Sequence, residues 1–243
     1  MLRLKRGKLI VVLGPVGVGK STMIRAFLSL SRERGIKAKS VYIKAFHGPS
    51  YLLWKIISRV MTHKANNKLA PWYIVGKINK ILSQRLLFVS MSFDSITIPF
   101  IVMLKVVIPR LRGVNIFVEE YLLGTLFDYA YSFYEVGRKD YLHLLPFKIL
   151  KSLCLRYKPD LVILLDADLF RLRKHWKVRG YGDPQIKYVL SQKRILPKLA
   201  QALYGSGRVV GLEMASTPVV DLIERAWRLC DVEDEIARTQ SKG

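Results

Sequence analysis

Cysteine is almost missing from this chain of 243 residues: Cys154 and Cys230 are the only two, and they lie far apart. A disulfide-stapled secreted scaffold is thereby excluded, and a reducing, cytoplasmic setting is expected. Histidine is sparse as well, with four scattered residues, and neither His nor Cys has the spacing of a metal site. Asn and Gln are scarce, a composition compatible with a thermophilic source. The N-terminal MLRLKRGKLIVVL has only about five apolar residues in a row before Gly14, too few for a signal-peptide core, and no small-residue cleavage site follows. The most apolar stretch, Leu86–Pro109, has 16 apolar residues out of 24. Asp94, Pro99 and Lys105 interrupt it, whereas a membrane span wants roughly 20 apolar residues without such charges. Buried core helices are expected there, and no transmembrane span.

Acidic residues are few: 18 Asp+Glu stand against 41 Lys+Arg, a formal net charge of +23. Residues 1–120 hold 21 of the basic side chains but only four acids, Glu33, Asp94, Glu119 and Glu120. A surplus of this size attracts polyanions such as nucleotides, nucleic acids or an anionic membrane surface. Within it an acid draws attention, the adjacent pair Glu119-Glu120 most of all. What is plentiful is apolar: 51% of residues are hydrophobic, enough to bury a core that outweighs chain entropy, so a disordered chain is excluded. The length suits one α/β domain, residues 1–243.

Short apolar strands are predicted at Lys8–Leu13, Ser40–Phe46, Val114–Val118, Leu161–Leu165 and Arg208–Leu212. Helices are predicted over Ser21–Arg34 and Tyr51–Met61, then over 71–93 and 95–111, broken at Asp94-Ser95 and bent at Pro99. Further helices are expected at Leu122–Glu135, Tyr141–Tyr157, Leu169–Val178, Gln185–Tyr204 and Pro218–Cys230. Five short strands alternating with helices describe a parallel sheet covered on both faces.

One motif carries chemistry. Gly14-Pro-Val-Gly-Val-Gly19-Lys20-Ser21 fits G-x-x-x-x-G-K-[ST], between a predicted strand and a predicted helix. Glycines there let backbone N–H groups turn toward phosphate oxygens, and the helix N-terminus adds positive potential. Lys20 is expected on the β- and γ-phosphates of a nucleotide, and the Ser21 hydroxyl on Mg²⁺. The expected cofactor-binding set is Gly14, Gly17, Gly19, Lys20, Ser21 and Thr22. No nucleophile–base pair argues for a covalent intermediate.

Leu87-Phe88, then Asn115-Ile-Phe-Val-Glu119-Glu120-Tyr121, then Lys158-Pro-Asp160 through Asp166-Ala-Asp168 follow in order. With the phosphate loop, this series resembles the thymidylate kinase family of P-loop nucleoside monophosphate kinases, over residues 8 to 230. The resemblance implies a P-loop NTPase fold, with a helical acceptor-side region at 50–112 and a mobile basic lid at 169–184. It implies ATP with Mg²⁺ as donor, a nucleoside monophosphate such as dTMP as acceptor, and a homodimer as a possible assembly. Glu119, with Asp166 or Asp168, would orient Mg²⁺ through water or the acceptor. Arg171, Arg173 and Arg179, among Lys174 and Lys177, would bring lid charge to the transition state. Glu213–Pro218 falls where the family contacts adenine.

Two departures bear on the acceptor. Glu120 stands where the family has an arginine near the phosphates, and Ser92 stands where it has another. Both arginines help hold an acceptor monophosphate, so their loss removes bidentate charged contacts. Arg85, on the helical face of Ser92, and Lys44 and His47, after the second strand, are the candidate replacements. A kinase-like paralogue with a sugar or lipid-linked acceptor is the alternative, as is an ATP-dependent module on nucleic acid or an anionic membrane surface.

Overall fold

Five consecutive residues, Leu9–Leu13, are all buried, and that unbroken apolar run forms the central strand β1 of a parallel sheet. The computed structural model describes residues 6–46, 48–62, 71–178 and 186–213, together with 221, 224, 227 and 228. Its sheet has the order β2-β3-β1-β4-β5, with β2 at Ala38–Ile43, β3 at Asn115–Glu120, β4 at Leu161–Asp166 and β5 at Val209–Glu213. Every pairing is parallel. Parallel neighbours need crossovers, and these are helices on both faces. The architecture is the α/β fold of a P-loop NTPase.

Alternation along β1 divides the core in two. Leu9, Val11 and Leu13 pack on one side among helices α2 (Pro49–Thr62), α4 (Lys80–Val102), α6 (Tyr121–Glu135) and α7 (Leu145–Arg156). Ile10 and Val12 face α1 (Lys20–Glu33) and α8 (Leu169–Val178), meeting Phe27, Phe117, Ile163 and Trp176. Helix α3 (Pro71–Ile78) packs on α2 and α4, and α9 (Ile186–Tyr204) on α6. At the N-terminal edge of the sheet, Arg110 in the short helix α5 (Ile108–Leu111) donates to Gly7 O at 3.0 Å and to Asp160 at 2.6 Å. Asp160 also accepts from Leu9 N, so one half-buried cluster aligns the starts of β1 and β4.

The structure corrects three local expectations. The helical break lies at Asn79, whose side chain caps α4 by accepting from Leu82 N at 2.9 Å, and α4 passes unbroken through Asp94 and Pro99. Asp94 does not break the helix because its carboxylate points inward to donors on three other segments. A π-helical stretch, Met103–Val107, follows and leads into α5. Strand β2 ends at Ile43, and Phe46 has left the strand with φ 58°. Strand β3 runs two residues past Val118, because Tyr42 and Ile43 of β2 pair with Glu119 and Glu120. That register brings both acids to the C-terminal edge of the sheet, where parallel α/β sheets bind ligands.

The 80–111 run is a core helix on one side only. By length and composition it is long and apolar enough to cross a membrane, and 44% of its most apolar window is buried inside the protein. Val89, Phe93, Ile96, Phe100 and Leu104 are exposed on its outer side. The expected closing helix at 218–230 lies outside the described residues, apart from positions 221, 224, 227 and 228.

Candidate functional site

The phosphate loop leaves β1 at Gly14 and enters α1 at Lys20. Gly14, Gly17 and Gly19 have φ values of 146°, 85° and 104°, a region that side chains with a Cβ rarely adopt. Space excludes a side chain at two of them as well. A Cβ on Gly14 would lie 2.3 Å from Leu165 O, and one on Gly17 would lie 2.6 Å from Trp176 Nε1. Gly19 caps α1 without a side-chain hydrogen bond, so the helix dipole faces the loop opening undiminished. Thr22 and Ser21 follow on exposed positions of the first turn.

Lys20 is buried beneath the loop. Its Nζ donates to Gly14 O at 2.8 Å and Pro15 O at 3.1 Å, and pairs with Glu120 Oε1 at 2.9 Å. Burial pushes the Glu120 carboxyl up, but Lys20 and Lys44 more than offset it and hold it below the ordinary carboxylate range. Glu120 itself adopts φ 72°, and Tyr121 after it φ 59°. Two successive residues there are worth about 1–3 kcal/mol each in backbone strain. The turn is held by Tyr121 Oη donating to Tyr157 O, and by the small Gly124, where a Cβ would sit 3.0 Å from Glu120 Oε2.

Ser21 and Glu119 come together: the serine Oγ donates to Glu119 Oε2 at 2.8 Å. A hydroxyl and a carboxylate side by side at a phosphate loop suit Mg²⁺, which takes one or two protein oxygens and leaves the rest to phosphate and water. No cluster of three or more His, Cys, Asp or Glu residues that would hold a metal by itself occurs among the described residues. The other two acids are engaged elsewhere. Asp168 caps α8 by accepting from Arg171 N at 2.8 Å, and Asp166 pairs with Lys193 at 3.0 Å.

Helix α8 docks on the phosphate loop. Trp176 Nε1 donates to Val16 O at 2.7 Å, and the His175 ring shares a hydrogen with Gly17 O at 2.9 Å. Leu172 and Trp176 form its buried side, which leaves Arg173, Lys174 and Lys177 exposed and Arg171 half-buried. Arg179 and the glycine-rich stretch after it lie outside the described residues, as do His47 and residues 214–218. The anchoring role of Trp176 was missed in the sequence, although Leu169, Leu172 and Trp176 stand at helical spacing within an otherwise basic segment.

Beside the loop lies a cavity of about 560 Å³. Val16 of the loop forms one wall, with Lys44 and Phe46 after β2, Asp128 and Tyr131 on α6, and Tyr188 on α9. The lining also carries Trp72, Lys77, Lys80 and Glu135. Phe46 stacks on Trp72 with ring centroids 4.5 Å apart. Burial pulls the Lys44 ammonium down, but Asp128 and Glu120 outweigh it and raise it above the ordinary lysine range, so it stays charged. Ser83 and Leu87 present the inner side of α4 to the cavity. Ser92 lies outside that lining and returns its Oγ to Phe88 O at 2.9 Å. Arg85 shares its outer face and is exposed, so of the candidate replacement cations among the described residues Lys44 alone reaches the cavity. Asp128 was also missed in the sequence; the signal was a lone acid within an apolar helix.

No protein-family model matches the chain, and no curated protein matches it. In structure it is similar to the thymidylate kinase of Candida albicans, with a TM-score of 0.51, covering 94% of this chain and 93% of that one at 16% sequence identity. The fold is thymidylate-kinase-like.

Proposed function

We propose that the protein is an ATP-dependent phosphotransferase, with Gly14–Thr22 cradling the donor phosphates and the adjoining cavity receiving the acceptor. The observation that carries this reading is the 2.8 Å contact of Ser21 with Glu119 at the mouth of a loop whose glycines are dictated by conformation and space. Lys20 and Ser21 open α1 while Glu119 stands at the end of β3, and the pairing of β1 with β3 brings them together. Mg²⁺ held by Ser21 and Glu119 would neutralise charge on the donor phosphates. Lys20 would bind the donor and, through Gly14 O and Pro15 O, keep the loop wrapped. Residues 50–112 supply the acceptor side, and the basic segment 169–184, with Arg171, Arg173 and Arg179, supplies lid charge. Catalysis would be positioning and electrostatics. A nucleoside-class compound as acceptor is the reading that the fold's likeness to a thymidylate kinase supports.

Titrating ATP with and without Mg²⁺ tests the donor site. Ser21→Ala is expected to weaken Mg²⁺–ATP by about tenfold or more while changing metal-free ATP much less. Absence of ATP binding by the wild-type protein would remove the proposal.

Trp176→Phe keeps an aromatic side chain but loses the hydrogen bond to Val16 O and part of the buried indole. A net loss of about 1 kcal/mol in loop order should raise the ATP concentration for half-saturation by roughly fivefold. Unchanged saturation would mean that α8 does not organise the loop.

A further inference from the structure

The identity of the acceptor group rests on the phosphotransferase reading and deepens it. Lys44, Lys77 and Lys80 line the cavity with Asp128 and Glu135, and among the described residues the charges that act most strongly on Asp128 are Lys44, Glu120 and Lys20. Lys20 is already paired with Glu120. Two buried carboxylates against two ammonium groups leave the surroundings of Asp128 without net positive charge. A monophosphate brought next to the donor would add negative charge to a desolvated cluster, with no arginine among the described lining residues to offset it. The positions where such arginines are expected are Glu120, which is buried and acidic, and Ser92, which lies outside the lining.

Asp128 is short of one hydrogen-bond donor. Its Oδ1 accepts the Tyr188 hydroxyl, while its Oδ2 is buried at the cavity wall without a partner among the described residues. Tyr188 in turn accepts from Gln192 Nε2 at 3.0 Å, which commits its single proton to Asp128. A buried, half-satisfied carboxylate calls for a donor, and an alcohol O–H is one. A phosphate dianion has no proton to give. Aromatic walls surround the position: Phe46 on Trp72, and Tyr131 edge-on to Tyr188 at 5.0 Å. They suit a flat aromatic body.

We propose that the acceptor is an uncharged hydroxyl on a nucleoside-class compound, and that Asp128 is the base that takes its proton. The hydroxyl oxygen bonds to the γ-phosphorus of ATP as the bond to the β–γ bridging oxygen breaks. ADP leaves, and the hydroxyl proton passes to Asp128 Oδ2 and then to water. Burial pushes the Asp128 carboxyl up to about 6; Lys44, Lys20 and the Tyr188 hydrogen bond oppose that rise, and Glu120 adds to it. Tyr42 and Glu119 face the same group of charges from β2 and β3. At neutral pH the base is mostly ionised and ready.

The test measures ADP release and product mass with ATP and Mg²⁺, using thymidine, cytidine, adenosine and guanosine against their 5′-monophosphates. Transfer to at least one nucleoside is expected, about tenfold or more faster than to its monophosphate. The rate should rise with pH through a midpoint near 6. Asp128→Asn should lower kcat about a hundredfold or more and flatten that limb. Tyr188→Phe should move the midpoint upward by about half to one pH unit, since it removes a donor to the ionised carboxylate. Preference for monophosphates, transfer to neither class, or a wild-type pH profile in Asp128→Asn overturns the proposal. The phosphotransferase reading fails separately, through ATP binding that is absent or indifferent to Lys20→Met.

Discussion

Replacing Lys20 by methionine is expected to abolish phosphotransfer and to weaken the fold at the same time. The ammonium is the near neighbour of Glu120, which is 3% exposed and has no water to turn to. Removing one partner of a buried ion pair strands the other, at about 3–5 kcal/mol. For a chain of this size each kcal/mol moves the melting midpoint by about 2–4 °C, so a fall of roughly 10 °C is expected. The double variant Lys20→Met/Glu120→Gln should recover most of that midpoint and none of the transfer, which separates stability from chemistry. A pH series adds a sign. In the wild type the Glu120 carboxyl is held below its ordinary range, so the pair stabilises above the unfolded pKa and loses that contribution as pH falls. In Lys20→Met the stranded carboxyl is relieved by protonation, so the gap between the two proteins should narrow on acidification. Melts that coincide at pH 7 would mean that Lys20 and Glu120 do not depend on one another.

The second large effect lies away from the phosphates. Asp94 is 1% exposed and accepts from Phe46 N at 2.8 Å, Ser50 Oγ at 2.7 Å and Tyr129 Oη at 2.6 Å. One carboxylate thus joins α4 to the end of β2, the start of α2 and the middle of α6. Asp94→Ala leaves the Phe46 N–H and the Tyr129 hydroxyl facing an apolar methyl group, while Ser50 Oγ keeps Ser90 O at 3.1 Å as its acceptor. At about 1–3 kcal/mol for each unsatisfied group, a loss of roughly 4 kcal/mol and 10 °C is expected even after water enters. The damage should also reach the cavity. Phe46 is held at φ 58° by the hydrogen bond of its own N–H to Asp94, and it forms a cavity wall with Trp72. Freed of that bond, Phe46 can relax toward ordinary backbone angles, which would show as altered tryptophan fluorescence and weaker acceptor saturation. An Asp94→Ala protein that melts with the wild type would remove Asp94 from this role.

Much of the glycine-rich loop was legible in the chain. A strand, a glycine-rich turn and a helix are contiguous, so their geometry follows from local steric rules: Gly14, Gly17 and Gly19 take the backbone angles their type permits. Buried strands were legible because parallel strands covered on both faces are apolar throughout, as β1 and β4 are. The break between α3 and α4 was placed wrongly because Asp94 reads locally as a helix interruption. Its donors lie 48, 44 and 35 residues away, beyond the reach of a local pattern. The cavity beside the loop was not legible, because its lining is gathered from segments far apart in the chain.

The sequence by itself determined the layered α/β fold, the phosphate loop and the excess of positive charge, because each follows from residue type and short-range spacing. Tertiary structure alone decided where that charge counts. Parallel register carries Glu119 to Ser21 and Glu120 beneath Lys20, although the two acids are neighbours in the chain, because successive strand residues point to opposite faces. Folding likewise turned Arg85 and Ser92 outward, brought Lys44 against Asp128, and set Trp176 under the loop. Burial then gave those meetings their strength, since a charge or a hydrogen bond acts most strongly where water is excluded.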